Sequence, residues 1–180
     1  MEKHIMVTQK LNNIIMFKII LNHPHIEEEE SLKEYESLVE LIENIFPLSE
    51  DYFCISWNNI DVLLSYKYDL SIIFDDFVYI IKFLDSKDNM LHMTFPSNTF
   101  DVIWDMKKDG NNINIVSQWN TVLSHNENIL NKNSFLSIDS NLLKNELSRI
   151  LEFIYGIIIN RREDVNEKLL NDILDNKPLI

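Results

Sequence analysis

Asp105-Met106-Lys107 is the triplet whose types and spacing come nearest to a reactive centre in this 180-residue chain. On an extended strand Asp105 and Lys107 project from one face. A carboxylate and an ammonium so placed form the D-x-K half of a metal-dependent nuclease centre, with Asp88 as an upstream acid one strand away. The charge balance opposes that chemistry. Twenty-nine acidic residues against sixteen basic ones give a net charge of −13. Such a field repels phosphate backbones and anionic membranes and attracts basic partners. A nuclease using Asp88, Asp105 and Lys107 therefore stands as the alternative to a non-enzymatic reading, beside a structural or adaptor protein.

Other constellations carry less. Asp101 and Asp105 share the polar side of one strand but lie four positions apart, too far for a tight carboxylate pair when each residue advances about 3.3 Å. His23 and His25 have a metal-ligand spacing, yet no third ligand of clear spacing stands nearby, and with Pro24 they read as a loop. The five histidines are scattered, so no Ser/His/acid set can be assembled, and His92 reads as a solvated strand residue. Two glycines leave no room for a phosphate-cradling loop. Cys54, between Phe53 and Ile55, reads as an inert buried thiol in a reducing compartment. Trp57, Trp104 and Trp119 read as packing residues. No catalytic residue, metal or cofactor is expected.

The elements that must position these residues centre on 77–119. Residues 77–84 (FVYIIKFL) are apolar on nearly both faces and rich in aromatic and β-branched types, which predicts a strand buried on two sides. Three alternating strands follow. Leu91, Met93 and Phe95 oppose His92 and Thr94; Phe100, Val102, Trp104 and Met106 oppose Asp101, Ile103, Asp105 and Lys107; Ile113 and Ile115 oppose Asn112 and Asn114, with Val116 and Trp119 at that strand's end. The links at 86–89, 96–99 and 108–111 are short and rich in Asn, Asp, Gly and Pro, so neighbours run antiparallel. One face is greasy and needs a cover; the other is free for solvent or a partner.

The flanks read less uniformly. Residues 4–21 fit a strand pair or a helix. Lys18 interrupts their apolar run and no small-residue cleavage site follows, against a signal peptide, and no segment is long and apolar enough to span a membrane; a cytoplasmic protein is the expectation. Helical spacing runs from Glu27 to Phe46, with Glu27–Glu30 in the first turns and Pro47 as the stop. Ten acids and one lysine between Glu27 and Asp51 make this the most anionic segment. Residues 52–57 predict a strand, 62–66 a strand or a helix, and 120–134 a polar loop with a helical turn. Phe135–Ile138 predicts a short strand, Asp139-Ser140-Asn141 an N-cap, and 141–160 a helix whose stripe of Leu143, Leu147, Ile150, Leu151, Ile154 and Ile158 covers the meander. A last amphipathic helix is expected over 165–174. The fold class is α+β, in a single domain spanning 1–180.

The run from Ser97 to Trp104, the run from Gly110 to Trp119, the 135–138 strand and the 141–160 helix together resemble immunity proteins of bacterial toxin systems, particularly those of contact-dependent growth inhibition. The resemblance covers about residues 77–160, and its motifs are scaffold features. It implies a small cytoplasmic protein, encoded beside a polymorphic toxin, that binds the toxin's C-terminal effector domain and blocks it. A basic nuclease is the toxin domain that an acidic inhibitor would suit, since acids steer onto a cleft built for anionic backbones. The expected contact residues are Glu34, Glu36, Glu40 and Glu43 on the acidic helix, joined by Asp101 and Asp105 on the polar sheet face.

Overall fold

The computed structural model describes residues 16–27, 35–160 and 171. Two antiparallel sheets meet at an aromatic seam. The first has the order β1 (Phe17–Ile20), β2 (Tyr52–Trp57), β3 (Ile60–Ser65), and the second β4 (Met90–Ser97), β5 (Phe100–Asp109), β6 (Asn112–Val122), β7 (Phe135–Asp139). The helices are α1 (Leu38–Ile45), α2 (Ser71–Asp85), α3 (Glu127–Lys132) and α4 (Ser140–Asn160), with a one-turn π-helix at Tyr66–Leu70 leading into α2. The chain is α+β, as the alternation of periods implies.

The three alternating strands and the short strand after them form where expected, with the fourth place in the sheet taken by β7. Residues 77–84 do not supply a strand. They lie within α2, which is buried at Ile73, Phe74, Phe77, Val78, Ile80, Ile81 and Phe83. A continuous apolar run satisfies a buried helix as well as a buried strand. Here the helix lies between the second sheet, where Phe77 meets Phe95 edge-on at 6.2 Å, and α4, where Phe74 meets Tyr155 at 5.4 Å. Lys108 closes its C-terminus, donating from Nζ to the carbonyls of Phe83 (2.8 Å) and Ser86 (2.6 Å), where the helix dipole favours a cation.

The greasy face of the meander is covered by several elements. Phe17 and Trp57 of the first sheet stack on Trp104 at 6.1 and 5.5 Å, Trp57 meets Trp119 at 5.3 Å, and α2 covers Phe95. Helix α4 packs along α2, β1 and β7, burying the expected stripe. Asp139 caps it by accepting from the Asn141 and Leu142 amides at 2.9 and 3.2 Å.

The N-terminal acidic helix is shorter than its pattern suggests. Ser37 caps α1, its Oγ accepting from the Glu40 amide, so the helix opens at Leu38; Glu27 is not helical and donates its amide to the Ile45 carbonyl, and 28–34 lie outside the described residues. Residues 62–65 fall in strand β3, and 120–122 continue β6 before α3. Of 4–21, residues 17–20 are strand and 1–15 are outside the description; so is 165–174, apart from Asn171, which is helical.

One buried carboxylate joins the two sheets. Asp69, fully buried in the π-turn, accepts from the Ser65 amide (2.7 Å), Thr99 Oγ1 (2.6 Å) and Ser97 Oγ, linking the end of β3 to the β4–β5 turn. A buried charge held by three donors has its desolvation offset, and each donor fixes one strand end.

Candidate protein-interaction face

The outer face of the second sheet is built by the phase opposite to the core. Met93, Phe95, Val102, Trp104, Met106, Ile113, Ile115, Leu136 and Ile138 point inward and are buried. Their neighbours point away from every described element that packs against the sheet. Register places His92 beside Asp105, Asp105 beside Val116, and Val116 beside Phe135, one row across all four strands. At about 4.8 Å per strand the row is roughly 14 Å long. Its acid end is polar, His92 Nδ1 lying 2.7 Å from Asp105 Oδ1 with both side chains 65% exposed. Its other end is apolar, with Val116 and Phe135 more than half exposed.

Further acids lie along the strand at its polar end. Asp101 lies on the same strand, its Oδ1 taking a hydrogen bond from Asn120 Nδ2 at 3.1 Å, and a bulge between Asp101 and Val102 turns that end of the sheet. Asp109 accepts from Asn114 Nδ2 at 3.2 Å. Lys107 stands opposite Asn114. Beyond Phe135 lies an open pocket of about 480 Å³ lined by Met16, Asn58, Asn59, Lys132, Asn133 and Ser134. Asn58 Oδ1 is buried there without a donor, while its Nδ2 bridges the carbonyls of Asn133 and Phe135.

Asp101 and Asp105 thus share one surface, as their phase requires. The glutamates do not join them. Helix α1 packs on the π-turn and α2, and α2 lies on the inner face of the sheet, so Glu36 and Glu40, exposed, and Glu43, half-buried, belong to a separate patch. Glu34 lies outside the described residues.

The D-x-K arrangement is not completed by Asp88. His92 is the residue opposite Asp105, and Asp88 is four positions upstream of it, about 13 Å along the strand direction. Its amide instead takes the Ser86 hydroxyl as acceptor in the α2–β4 turn. Among the described residues no three His, Cys, Asp or Glu side chains stand close enough to hold a metal ion. His23 and His25 are exposed in a loop, the His25 amide donating to Asp51. Cys54 is buried, and burial with the nearby Asp61 charge pushes its thiol up to about 11, away from thiolate chemistry.

Val116 and Phe135 are the face residues that the sequence pattern does not assign to this side, whereas His92 is solvated on its strand as its phase predicts. A signal for Val116 existed: it occupies the polar phase of β6, between Asn114 and Gln118. No helix among the described residues is long and apolar enough to cross a membrane. No family model, no characterised protein and no solved structure matches the chain.

Proposed function

We propose that the protein is a non-enzymatic immunity-type inhibitor whose acidic sheet face binds the basic effector domain of a toxin, a nuclease, and occludes its active site. The observation that carries this reading is the exposed outer face of β4–β7, where Val116 and Phe135 form an apolar end beside the acidic strand that bears Asp101, Asp105 and Asp109. Interfaces concentrate affinity in a desolvated apolar centre and use flanking charge for steering. A net charge of −13 speeds encounter with a cationic cleft.

The experiment is co-expression with the toxin effector domain encoded beside this gene. Wild type is expected to restore growth and to co-purify with the effector, and a variant carrying Asp101→Lys, Asp105→Lys and Val116→Lys to lose both while remaining folded. Metal-dependent cleavage of RNA or DNA by the wild type, abolished by Asp105→Ala, would replace this reading with the nuclease one. Absence of any toxin gene nearby would favour an adaptor.

A further inference from the structure

Strand β4 is an edge of the second sheet, and the ladder on its paired side dictates what its free side offers. The Lys108 amide donates to the Asn89 carbonyl at 2.9 Å, which fixes the phase. Leu91, Met93 and Phe95 exchange backbone hydrogen bonds with β5, so Met90, His92, Thr94 and Pro96 point their backbone groups away from it. At none of these four positions does a backbone group have a hydrogen-bond partner among the described residues. Other edges are answered by side chains: Ile19 of β1 by Glu146 and Arg149, Ser65 and Asp61 of β3 by Asp69 and Asn126, and Phe135 of β7 by Asn58.

The usual protections of an edge are thin on β4. It carries no lysine, aspartate or glutamate, and its single proline, Pro96, lies near one end with the missing N–H on the free side. Met90, His92 and Thr94 therefore present an unbroken run of donors and acceptors that is symmetric about His92. A second, antiparallel β4 related by a twofold axis at His92 sets His92 against His92 and each Met90 against the other copy's Thr94. Every outward group of the run is then answered, with two hydrogen bonds for each residue pair and about six in all. Moving the axis one residue towards Pro96 would place Pro96 opposite Met90 and leave the Met90 carbonyl without a donor. The register at His92 also sets half-buried Leu91 against the other copy's Met93 on the inner side, extending the apolar layer across the axis. A basic partner gains nothing from this uncharged edge, whereas a second copy matches it group for group.

We propose that the free edge of β4 pairs with β4 of a second copy of this chain, antiparallel about His92, joining two four-stranded sheets into one. The acidic faces of both copies then lie on the same side of the joined sheet and stay open. Two chains of charge −13 repel at long range, so raising salt is expected to tighten the dimer.

Pairing of this kind needs no toxin, and it is tested on the full chain alone. Sedimentation equilibrium from micromolar to submillimolar concentration is combined with amide hydrogen exchange at both ends of that range. Wild type is expected to dimerise reversibly. Its Met90, His92 and Thr94 amides are expected to exchange quickly when dilute and to become protected when concentrated, while those of Leu91, Met93 and Phe95 stay protected throughout. Thr94→Pro removes an outward N–H without touching the β4–β5 ladder and is expected to raise the dimer dissociation constant about tenfold or more, with circular dichroism as the folding control. Thr94→Val keeps that N–H and is expected to change it by no more than about twofold. A wild type that is monomeric throughout overturns the proposal. So does a dimer that leaves the Met90, His92 and Thr94 amides unprotected, or one that folded Thr94→Pro forms as tightly as wild type.

Discussion

Asn131 answers the backbone of Trp119 with both halves of its side-chain amide: Oδ1 takes the Trp119 N–H at 3.0 Å and Nδ2 donates to the Trp119 carbonyl at 2.8 Å. Strand β7 pairs with β6 only as far as Val116, and Asn131 of α3 stands in for the strand beyond it. The same device closes β1, where Glu146 Oε2 accepts from the Ile19 amide at 2.8 Å and Arg149 donates to the Ile19 carbonyl at 3.2 Å. Sheet edges left open invite pairing with other chains, and here side chains occupy them.

Removing that substitute strand has a measurable cost. Asn131→Ala leaves two partly buried backbone groups of Trp119 without partners, and destabilisation of about 1–2 kcal/mol is expected from the lost pair of hydrogen bonds. Asn131→Asp retains the acceptor but not the donor and is expected to fall between. Urea midpoints for the three proteins check the order, with hydrogen exchange at the Trp119 amide as the local readout.

Asp69 is expected to be the most sensitive polar position. Asp69→Ala strands the Ser65 amide and the Ser97 and Thr99 hydroxyls in a buried site and frees the β4–β5 turn from β3. A loss of about 2–4 kcal/mol is the expectation for breaking a buried, charge-assisted network. Ser97→Ala alone removes one of three donors and is expected to cost about 1 kcal/mol. Chemical denaturation of both variants tests the ranking, and equal losses would contradict it.

Asp76 gives a pH signature. Its carboxyl is raised from an ordinary 3.8 to about 6, first by burial and then by Asp75, so the folded state holds a proton that the unfolded chain has already released. Stability from this group is therefore full below about pH 4 and is lost as pH rises towards 6. Asp76→Asn removes the penalty. At pH 7 and dilute protein it is expected to be more stable than wild type by on the order of 1 kcal/mol after allowance for screening, with the gain vanishing near pH 4. Parallel melts across that range decide it.

Period-2 alternation made β4, β5 and β6 legible because one face of each is buried and the other wet, so burial is written into residue type. The same logic failed at 77–84, where both sides are covered and apolar residues fill every phase. What marked α2 as a helix was its polar spacing: Asp75, Asp76 and Lys82, with Tyr79, recur at three to four residues when the window is widened upstream. Helix α1 was overextended because Glu27–Glu30 suit a first turn electrostatically, yet Ser37 supplies the cap that fixes the start. The face was half legible. Asp101 and Asp105 follow from strand phase, but Phe135 joins them through a non-local register that no local pattern encodes.

The two acidic patches separate cleanly by kinetics. If the sheet face binds the toxin domain, reversing Asp101 and Asp105 to Lys is expected to slow association and flatten its salt dependence, since exposed charges act mainly on encounter. Val116→Glu and Phe135→Ala are expected to act on dissociation, raising koff by about ten- to a hundredfold, because they form the apolar end of the face that is desolvated on binding. Glu36→Lys, Glu40→Lys and Glu43→Lys, on the α1 patch, are expected to leave koff unchanged and to reduce the association rate only as far as the lowered net charge demands, an effect that disappears at high salt. Surface plasmon resonance with the effector domain, at low and high salt, measures all three sets. A large koff change from the α1 glutamates with none from Val116 or Phe135 would move the interface to the α1 side of the molecule.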